Sequence, residues 1–149
     1  KQHHDITTNM THALSHCQSN QVIRGVLDGE ARGVFQGKVH VAQDAQKTDG
    51  QQMSRALLLS PKAGADAKPE LEIYADDVIC SHGATVGELD ETQLFYLTSR
   101  GISLDVARAM LIAAFLEDAV DMIENANLSA LLRPHVTGWM LAEEGINNV

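Results

Sequence analysis

The chain contains little cysteine, few basic residues and no long apolar run. Its 149 residues include only 2 Cys, so a disulfide framework does not hold the fold together. Lys and Arg number 11 against 20 Asp and Glu, giving a net charge of −9. This balance argues against nucleic acid or an anionic membrane as the main partner, because both require clustered basic charge. No run of about 18 apolar residues occurs, so no segment is expected to span a bilayer.

Common catalytic and nucleotide-binding motifs are also missing. The sequence has no GxxxxGK[ST] or GxGxxG loop and no HExxH or CxxC pair. No nucleophile, base and orienting group can be assembled from it, so we expect no enzymatic activity. The first residue is Lys1 rather than Met, and no signal segment precedes the first strand pattern, which indicates a piece of a longer protein without export. Two free thiols fit a reducing cytoplasm.

The sequence pattern changes near Asp90, from short apolar and β-branched segments typical of strands to patterns typical of helices. Candidate strands cover residues 21–27, 33–41, 56–59, 71–74, 78–80 and 85–86, and residues 61–69 suggest an exposed loop. No helical pattern separates the candidate strands, so a βαβ sheet is not expected. A sandwich, a barrel and a stacked β-solenoid stay open, because no sequence repeat is visible. We expect two units, a β unit at 1–88 and an α-helical unit at 89–149.

Helix boundaries in the second unit follow from capping residues. Asp90 has the spacing of a capping box and Gly101 is placed to end a first short helix. Ser103 suits the N-cap of a second helix that runs to about residue 125. Asn127 is predicted to cap a third segment before Pro134, and the tail a fourth. The middle of the second helix, residues 109–116, is apolar on every face, which fits either a central bundle helix or a helix that also docks a partner.

Histidine and cysteine are the candidate metal ligands. His12, His16 and Cys17 suggest a site near the start, but on a strand His16 and Cys17 point to opposite faces. His12 and His16 would be about 13 Å apart on a regular strand, too far for one ion. Cys80 and His82 differ, because they lie two residues apart on the same side of a strand and precede a glycine. Thiolate and imidazole are ligands that iron accepts.

A cysteine and a histidine fill only half of a tetrahedral site. Any missing ligands would come from elsewhere, another subunit included. The alternative is structural, because a buried cysteine often serves only as a small hydrophobic side chain.

Several sequence blocks resemble the SufD branch of the SufB/SufD family. They are LEIYADDVICSHGATVG at 71–87, LD at 89–90, LFYLTSRGI at 94–102, GVFQGKVHVAQDAQKTD at 33–49 and LLLS at 57–60. The resemblance spans roughly residues 5–125. Residues 54–56 depart from it where an Asn is expected, and the last twenty residues match nothing in the family.

The resemblance implies a fold, partners and a cargo. The fold would be mainly β with α, the C-terminal turns of a right-handed parallel β-helix (1–88) followed by a small ATPase-docking helical domain (89–149). The partners would be a SufB paralogue, which pairs through the β part, and the SufC ATPase. An iron–sulfur cluster would be held transiently at the SufB interface, with none expected in the isolated fragment, which could pair with itself.

The same resemblance assigns roles to individual residues. His82 falls on the family's interface histidine, proposed as an iron or cluster ligand, and Cys80 matches a nearby cysteine with a less defined role. We assign partner binding to four residues of the helical unit: Phe95, Tyr96, Arg100 and Ile102. The leading hypothesis is therefore a non-enzymatic scaffold for iron–sulfur cluster assembly. The competing hypotheses are a polysaccharide-cleaving enzyme and a purely structural interaction module in which Cys80 and His82 bind no metal.

Overall fold

The computed structural model of the chain describes residues 1–143, except for the side chains of Thr137 and of residues 139–143. The chain divides into two compact units, Lys1–Glu88 and Leu89–Val149. The described part of the first unit contains strands, and that of the second contains helices. No helix among the described residues is long and apolar enough to cross a membrane. The end of the tail to which no role could be assigned, residues 144–149, lies outside the described residues.

The first unit consists of six parallel strands in two sheets. The strands are β1 His3–His12, β2 Gln18–Leu27, β3 Arg32–Val41, β4 Asp49–Leu58, β5 Gly64–Ile73 and β6 Ile79–Glu88. Odd-numbered strands form one sheet in the order β1-β3-β5, and even-numbered strands form the other in the order β2-β4-β6. Successive strands therefore lie in alternating sheets. Side chains from both sheets meet between them.

The predicted right-handed parallel β-helix is wrong for this chain. The six described strands form two separate three-stranded sheets, and neither sheet closes. The reason lies in the pairing: odd strands hydrogen-bond only to odd strands and even strands only to even strands. The expectation that βαβ units are missing from the β part is confirmed, because turns rather than helices connect its parallel strands.

Strand β3 shows why these segments form strands. Its inward positions are Phe35, Gly37, Val39 and Val41, all buried, and they alternate with outward polar side chains. The alternation of buried and outward positions continues through Gly37 with an unbroken period of two. The predicted loop at 61–69 is wrong in its second half, which belongs to β5. Pro69 is tolerated there because β5 is an edge strand among the described strands.

The core of the first unit is small and aliphatic. Val39, Val41, Ala45 and Ala75 are buried together, and Cys80 is among the partly buried residues packed against them. Each fully buried valine contributes about 1.5–3 kcal/mol relative to an exposed one. This cluster fixes the end of the sandwich at which β6 begins.

Stacked turns connect the strands at this end. The His16 amide donates to the Gln46 carbonyl at 2.9 Å, and the Lys47 amide donates to the Asp77 carbonyl at 2.6 Å. His16 and Lys47 both adopt left-handed backbone conformations, with φ of 61° and 63°. The Lys47 ammonium also pairs with the Asp77 carboxylate. One turn thus repeats the geometry of the next.

The second unit contains α1 Glu91–Thr98, α2 Leu104–Asp121 and α3 Ala126–Glu143. The Asp90 carboxylate accepts from the amides of Thr92 at 2.7 Å and Gln93 at 3.4 Å, so the predicted cap is confirmed. The Ser103 hydroxyl accepts from the Val106 amide at 3.4 Å and caps α2 as predicted. Gly101, with φ of 85°, provides the left-handed residue after α1.

The third helix differs from its prediction in two respects. Its cap is Asn125, whose Oδ1 accepts from the amides of Asn127 and Leu128 at 3.1 Å, so the assignment to Asn127 is wrong. The predicted break at Pro134 is also wrong, because α3 continues through it. Beside the proline, Arg133 donates to Asp121 of α2 at 2.6 Å, so this part of α3 is tied to its neighbour.

Candidate ligand site on an edge strand

Cys80 and His82 both belong to β6, an edge strand of the even-numbered sheet among the described strands. They are two residues apart, so both side chains lie on the same side of β6. Their neighbours in register on β4 are Gly50 for Cys80 and Gln52 for His82. Despite this shared side, the two side chains occupy different environments.

The Cys80 thiol lies toward the interior of the sandwich. A Cβ built on Gly50 would be 3.3 Å from Cys80 Sγ, 3.6 Å from Val39 Cγ1 and 3.8 Å from His12 Nε2. Cys80 is partly buried and packs against the aliphatic core cluster. This environment is that of a small hydrophobic side chain.

His82, in contrast, is exposed. Its imidazole can be reached by a group outside the chain. Among residues 1–143, no set of three His, Cys, Asp or Glu side chains could hold a metal ion. Cys80 and His82 therefore supply at most part of a coordination sphere.

A polar layer, buried at Gln52 and partly buried at Thr8 and Gln21, lies next to His82 inside the sandwich. The Thr8 hydroxyl donates to Gln21 Oε1 at 3.0 Å, and Gln52 Nε2 donates to the same oxygen at 3.4 Å. Gln21, Gln52 and His82 occupy one register row across β2, β4 and β6. The amide of Gln52 fills the space over Gly37, where a Cβ would be only 2.8 Å from Gln52 Cδ.

Sequence reasoning missed this layer. Glutamines are usually exposed, and only the strand pairing places Gln21 and Gln52 side by side in the interior. One signal was available: Gly37 interrupts the apolar alternation of its strand. A glycine inside a strand often marks the close approach of another group, here the Gln52 amide.

The histidines and the cysteine near the start of the chain are not brought together. His12 is buried, and its Nε2 is 2.8 Å from the Ser19 hydroxyl. His16 lies exposed in the following turn. The Cys17 thiol contacts the Ser15 carbonyl at 3.9 Å.

An ionic cluster occupies the outer face of the odd-numbered sheet. Lys38 Nζ is 2.6 Å from Glu72 Oε1, and His40 Nδ1 is 3.4 Å from Glu72 Oε2. The hydrogen bond to Glu72 raises the pKa of Lys38, and the same bond lowers the pKa of Glu72. This face carries charge but lies on the opposite side of its sheet from the buried layer.

The predicted partner contacts of the helical unit are partly exposed. Phe95 is 72% and Tyr96 is 55% exposed, and the Arg100 guanidinium lies 3.6 Å from the centre of the Tyr96 ring. Ile102 is only partly buried. Helix α2 buries one side of its apolar segment through Ile112 and leaves others open. Among the side chains that the structure describes, the exposed large apolar ones of α2 and α3 are Leu104, Val106, Met110, Leu128, Leu131 and Leu132.

The described part of the first unit thus combines two parallel sheets with an exposed imidazole on an edge strand. The chain matches the family described as SUF system FeS cluster assembly, SufBD core domain, over residues 1–115. The chain therefore belongs to the SufB/SufD family of the SUF system for iron–sulfur cluster assembly, and the resemblance seen in its sequence is confirmed.

Within the family the chain is of the SufD type. It is 45% identical over 124 residues to "Iron-sulfur cluster assembly protein SufD" of Escherichia coli, covering 83% of this chain and 29% of that protein. It is 46% identical over 132 residues to the SufBD family protein slr0076 of Synechocystis, covering 87% and 29%. Identity to protein ABCI7, chloroplastic, of Arabidopsis thaliana is 43% over 115 residues, covering 77% and 24%. The chain thus spans less than a third of the length of these relatives.

Proposed function

We propose that the chain is part of a non-enzymatic scaffold on which iron–sulfur clusters are assembled in the cytoplasm. The observation that carries the proposal is the exposure of His82 on the edge strand β6. In this proposal His82 offers one ligand to iron or to a nascent cluster, and a SufB-type partner supplies the others. Family membership and the SufD-type relatives support it.

An incomplete donor set supports assembly between subunits. No three-donor group exists among the described residues, so the chain by itself should not retain a metal ion. The backbone groups on the outer side of β6 are free of sheet pairing within the described chain, which makes this edge a natural place for another chain to dock. A ligand at that edge would be completed when the partner arrives.

The chemistry of imidazole suits transient binding. A neutral histidine donates one ring-nitrogen lone pair to a metal, and protonation of that nitrogen removes the bond. An iron–sulfur cluster is cargo here, and a scaffold must release it. A single exposed imidazole allows release more readily than a closed set of thiolates from one chain.

Cys80 has a different role in this proposal. Its packing against Val39 and the other core residues favours support of the strand that carries His82. Ligation by the Cys80 thiol would require its side chain to leave that cluster. We therefore propose His82 as the ligand and Cys80 as a packing residue that could join it only after β6 shifts.

The helical unit is proposed to dock the SufC ATPase. The exposed aromatic rings of Phe95 and Tyr96, with Arg100 stacked on the latter, form a surface with the composition of an interface hot spot. Met110 of α2 is a further exposed apolar side chain of the same unit.

The experiment compares His82→Ala with His16→Ala in the full-length protein combined with its SUF partners. Both histidines are exposed, but only His82 lies on the edge strand. We expect H82A to preserve complex formation, measured by gel filtration, and to reduce cluster build-up, measured by visible absorption. H16A should change neither. Equal cluster yields in wild type and H82A would refute ligation and favour a purely structural module.

A further inference from the structure

A ligand histidine on an exposed edge needs a partner that fixes its ring. A neutral imidazole has two tautomers, and only the nitrogen without a proton can bind a metal. Metal-binding histidines therefore usually donate their other N–H to a carboxylate, a carbonyl or a water. The residue next to His82 on the paired strand is Gln52.

The Gln52 side chain is held rigidly. It is 2% exposed, and its Nε2 donates to Gln21 Oε1 on β2 at 3.4 Å. The absence of a side chain at Gly37 leaves the space that the amide occupies. A side chain fixed on two sides in this way can orient a mobile neighbour.

The Gln52 amide also carries an unused acceptor. Its Oε1 is buried and has no hydrogen-bond partner among the described residues, which is uncommon for a buried polar atom. The nitrogen and oxygen of an amide point in diverging directions. Strand β4 lies between β2, which carries Gln21, and β6, which carries His82. Because Gln52 Nε2 is directed to Gln21 on β2, Gln52 Oε1 is directed away from β2.

We propose that Gln52 is a positioning residue for His82. Its Oε1 accepts the N–H of the imidazole, fixes one tautomer and leaves the other nitrogen free for iron. In-register residues on neighbouring strands are about 4.8 Å apart at the backbone, a gap that both side chains can span. The bond is not formed in the structure; the proposal requires a change of rotamer of the exposed His82 side chain.

This inference rests on the proposed ligand role of His82, and the first experiment examines the tautomer without any metal. The full-length protein is labelled with ¹⁵N-histidine, and long-range ¹H–¹⁵N spectra identify the protonated nitrogen of His82 at neutral or slightly alkaline pH. Wild type should show one dominant neutral tautomer. Gln52→Leu should give a mixture, whereas Gln52→Glu, which retains an acceptor oxygen, should restore the single form.

Two further variants separate positioning from folding. Gln51→Leu changes the adjacent residue, whose Oε1 accepts from the Ser81 hydroxyl on β6, and it should leave the His82 tautomer unchanged. Gln52→Met keeps the length of the side chain without the carbonyl and replaces Q52L if that variant does not fold. Far-ultraviolet circular dichroism checks each fold.

The second readout is the affinity of the assembled complex for Fe²⁺. Loss of a histidine's outer partner costs about 10- to 100-fold in metal affinity, so Q52L should weaken Fe²⁺ binding about tenfold and Q52E should recover most of it. An unchanged tautomer in Q52L and Q52M would overturn the proposal and would indicate that Gln52 Oε1 accepts a hydrogen bond from a buried water instead. A changed tautomer with undiminished Fe²⁺ affinity would also overturn it. Failure of the proposed function appears separately, as undiminished cluster yield in H82A.

Discussion

Replacing Gly37 by alanine tests whether the two facing sheets interlock at their centre. A Cβ on Gly37 would lie 2.5 Å from Phe35 Cζ and 2.8 Å from Gln52 Cδ, much closer than side chains normally approach. Phe35 is 4% exposed and Gln52 is 2% exposed. Neither side chain can therefore swing into solvent to make room.

The size of the effect follows from two opposing terms. Overpacking a dense core costs about 1–3 kcal/mol, whereas an unhindered Gly→Ala change stabilises by about 0.4–1 kcal/mol through the unfolded state. Because both neighbours of Gly37 are buried, overpacking should dominate. We expect Gly37→Ala to lower the free energy of unfolding by roughly 1–2 kcal/mol, within the overpacking range. For a unit of this size each kcal/mol lowers Tm by about 4–8 °C.

The assay is urea denaturation followed by circular dichroism, with Gly25→Ala as the matched control. Gly25 also lies in a strand, but nothing is within 4 Å of a Cβ built there, so this variant should be neutral or slightly stabilising. In a Gln52→Ala background G37A should cost less, with a coupling energy of about 0.5 kcal/mol or more. Equal unfolding free energies for G37A and G25A would refute the interlocked centre.

Two other predictions concern the outer sheet face and the helical unit. The hydrogen bond from Lys38 lowers the pKa of Glu72 in the folded protein. The ionised Glu72 therefore stabilises the fold at pH values above its pKa in the unfolded chain, and this stabilisation is lost as pH falls through its pKa in the folded protein. Glu72→Gln should therefore reduce the loss of stability that the protein shows as pH is lowered into the acid range, measured as urea midpoints at several pH values. The same loss of stability in the variant and in the wild type would contradict this. Replacing Phe95 and Tyr96 by alanine should weaken SufC capture at least tenfold at unchanged stability, whereas Leu14→Ala, an exposed apolar control in the first unit, should have no effect. Equal capture by both would exclude this docking surface.

Local signals in the sequence predicted the starts of α1 and α2 correctly, but not that of α3. Asp90 and Ser103 act through amides two or three residues away, so short-range pattern is sufficient. Pro134 shows the limit of this reasoning. Its local effect indicated a break, yet α3 continues past it, and Arg133 contacts α2 beside it.

The strands were harder to delimit, because their inward positions are not uniformly apolar. Strand β4 carries Gln52 and Ser54 inside, and β5 contains Pro69. Each breaks a hydrophobic alternation, so only the ends of these strands were recognised. The pairing of residues about thirty positions apart supplies the missing information, since a polar side chain can be buried when a neighbouring strand provides its hydrogen bond.

By itself the sequence determined the β and α character of the two parts, the capping residues of α1 and α2, and the family, because these depend on local pattern and on residue identity. It also brought Cys80 and His82 to attention through their spacing on one side of a strand. Only the tertiary structure decided that the strands form two separate sheets, that the Cys80 thiol packs in the core while His82 is exposed, and that Gln52 lies beside His82. Those outcomes depend on register between strands that are distant in sequence, and period-two alternation within one strand indicates which face a residue occupies but not which residue of a distant strand lies beside it.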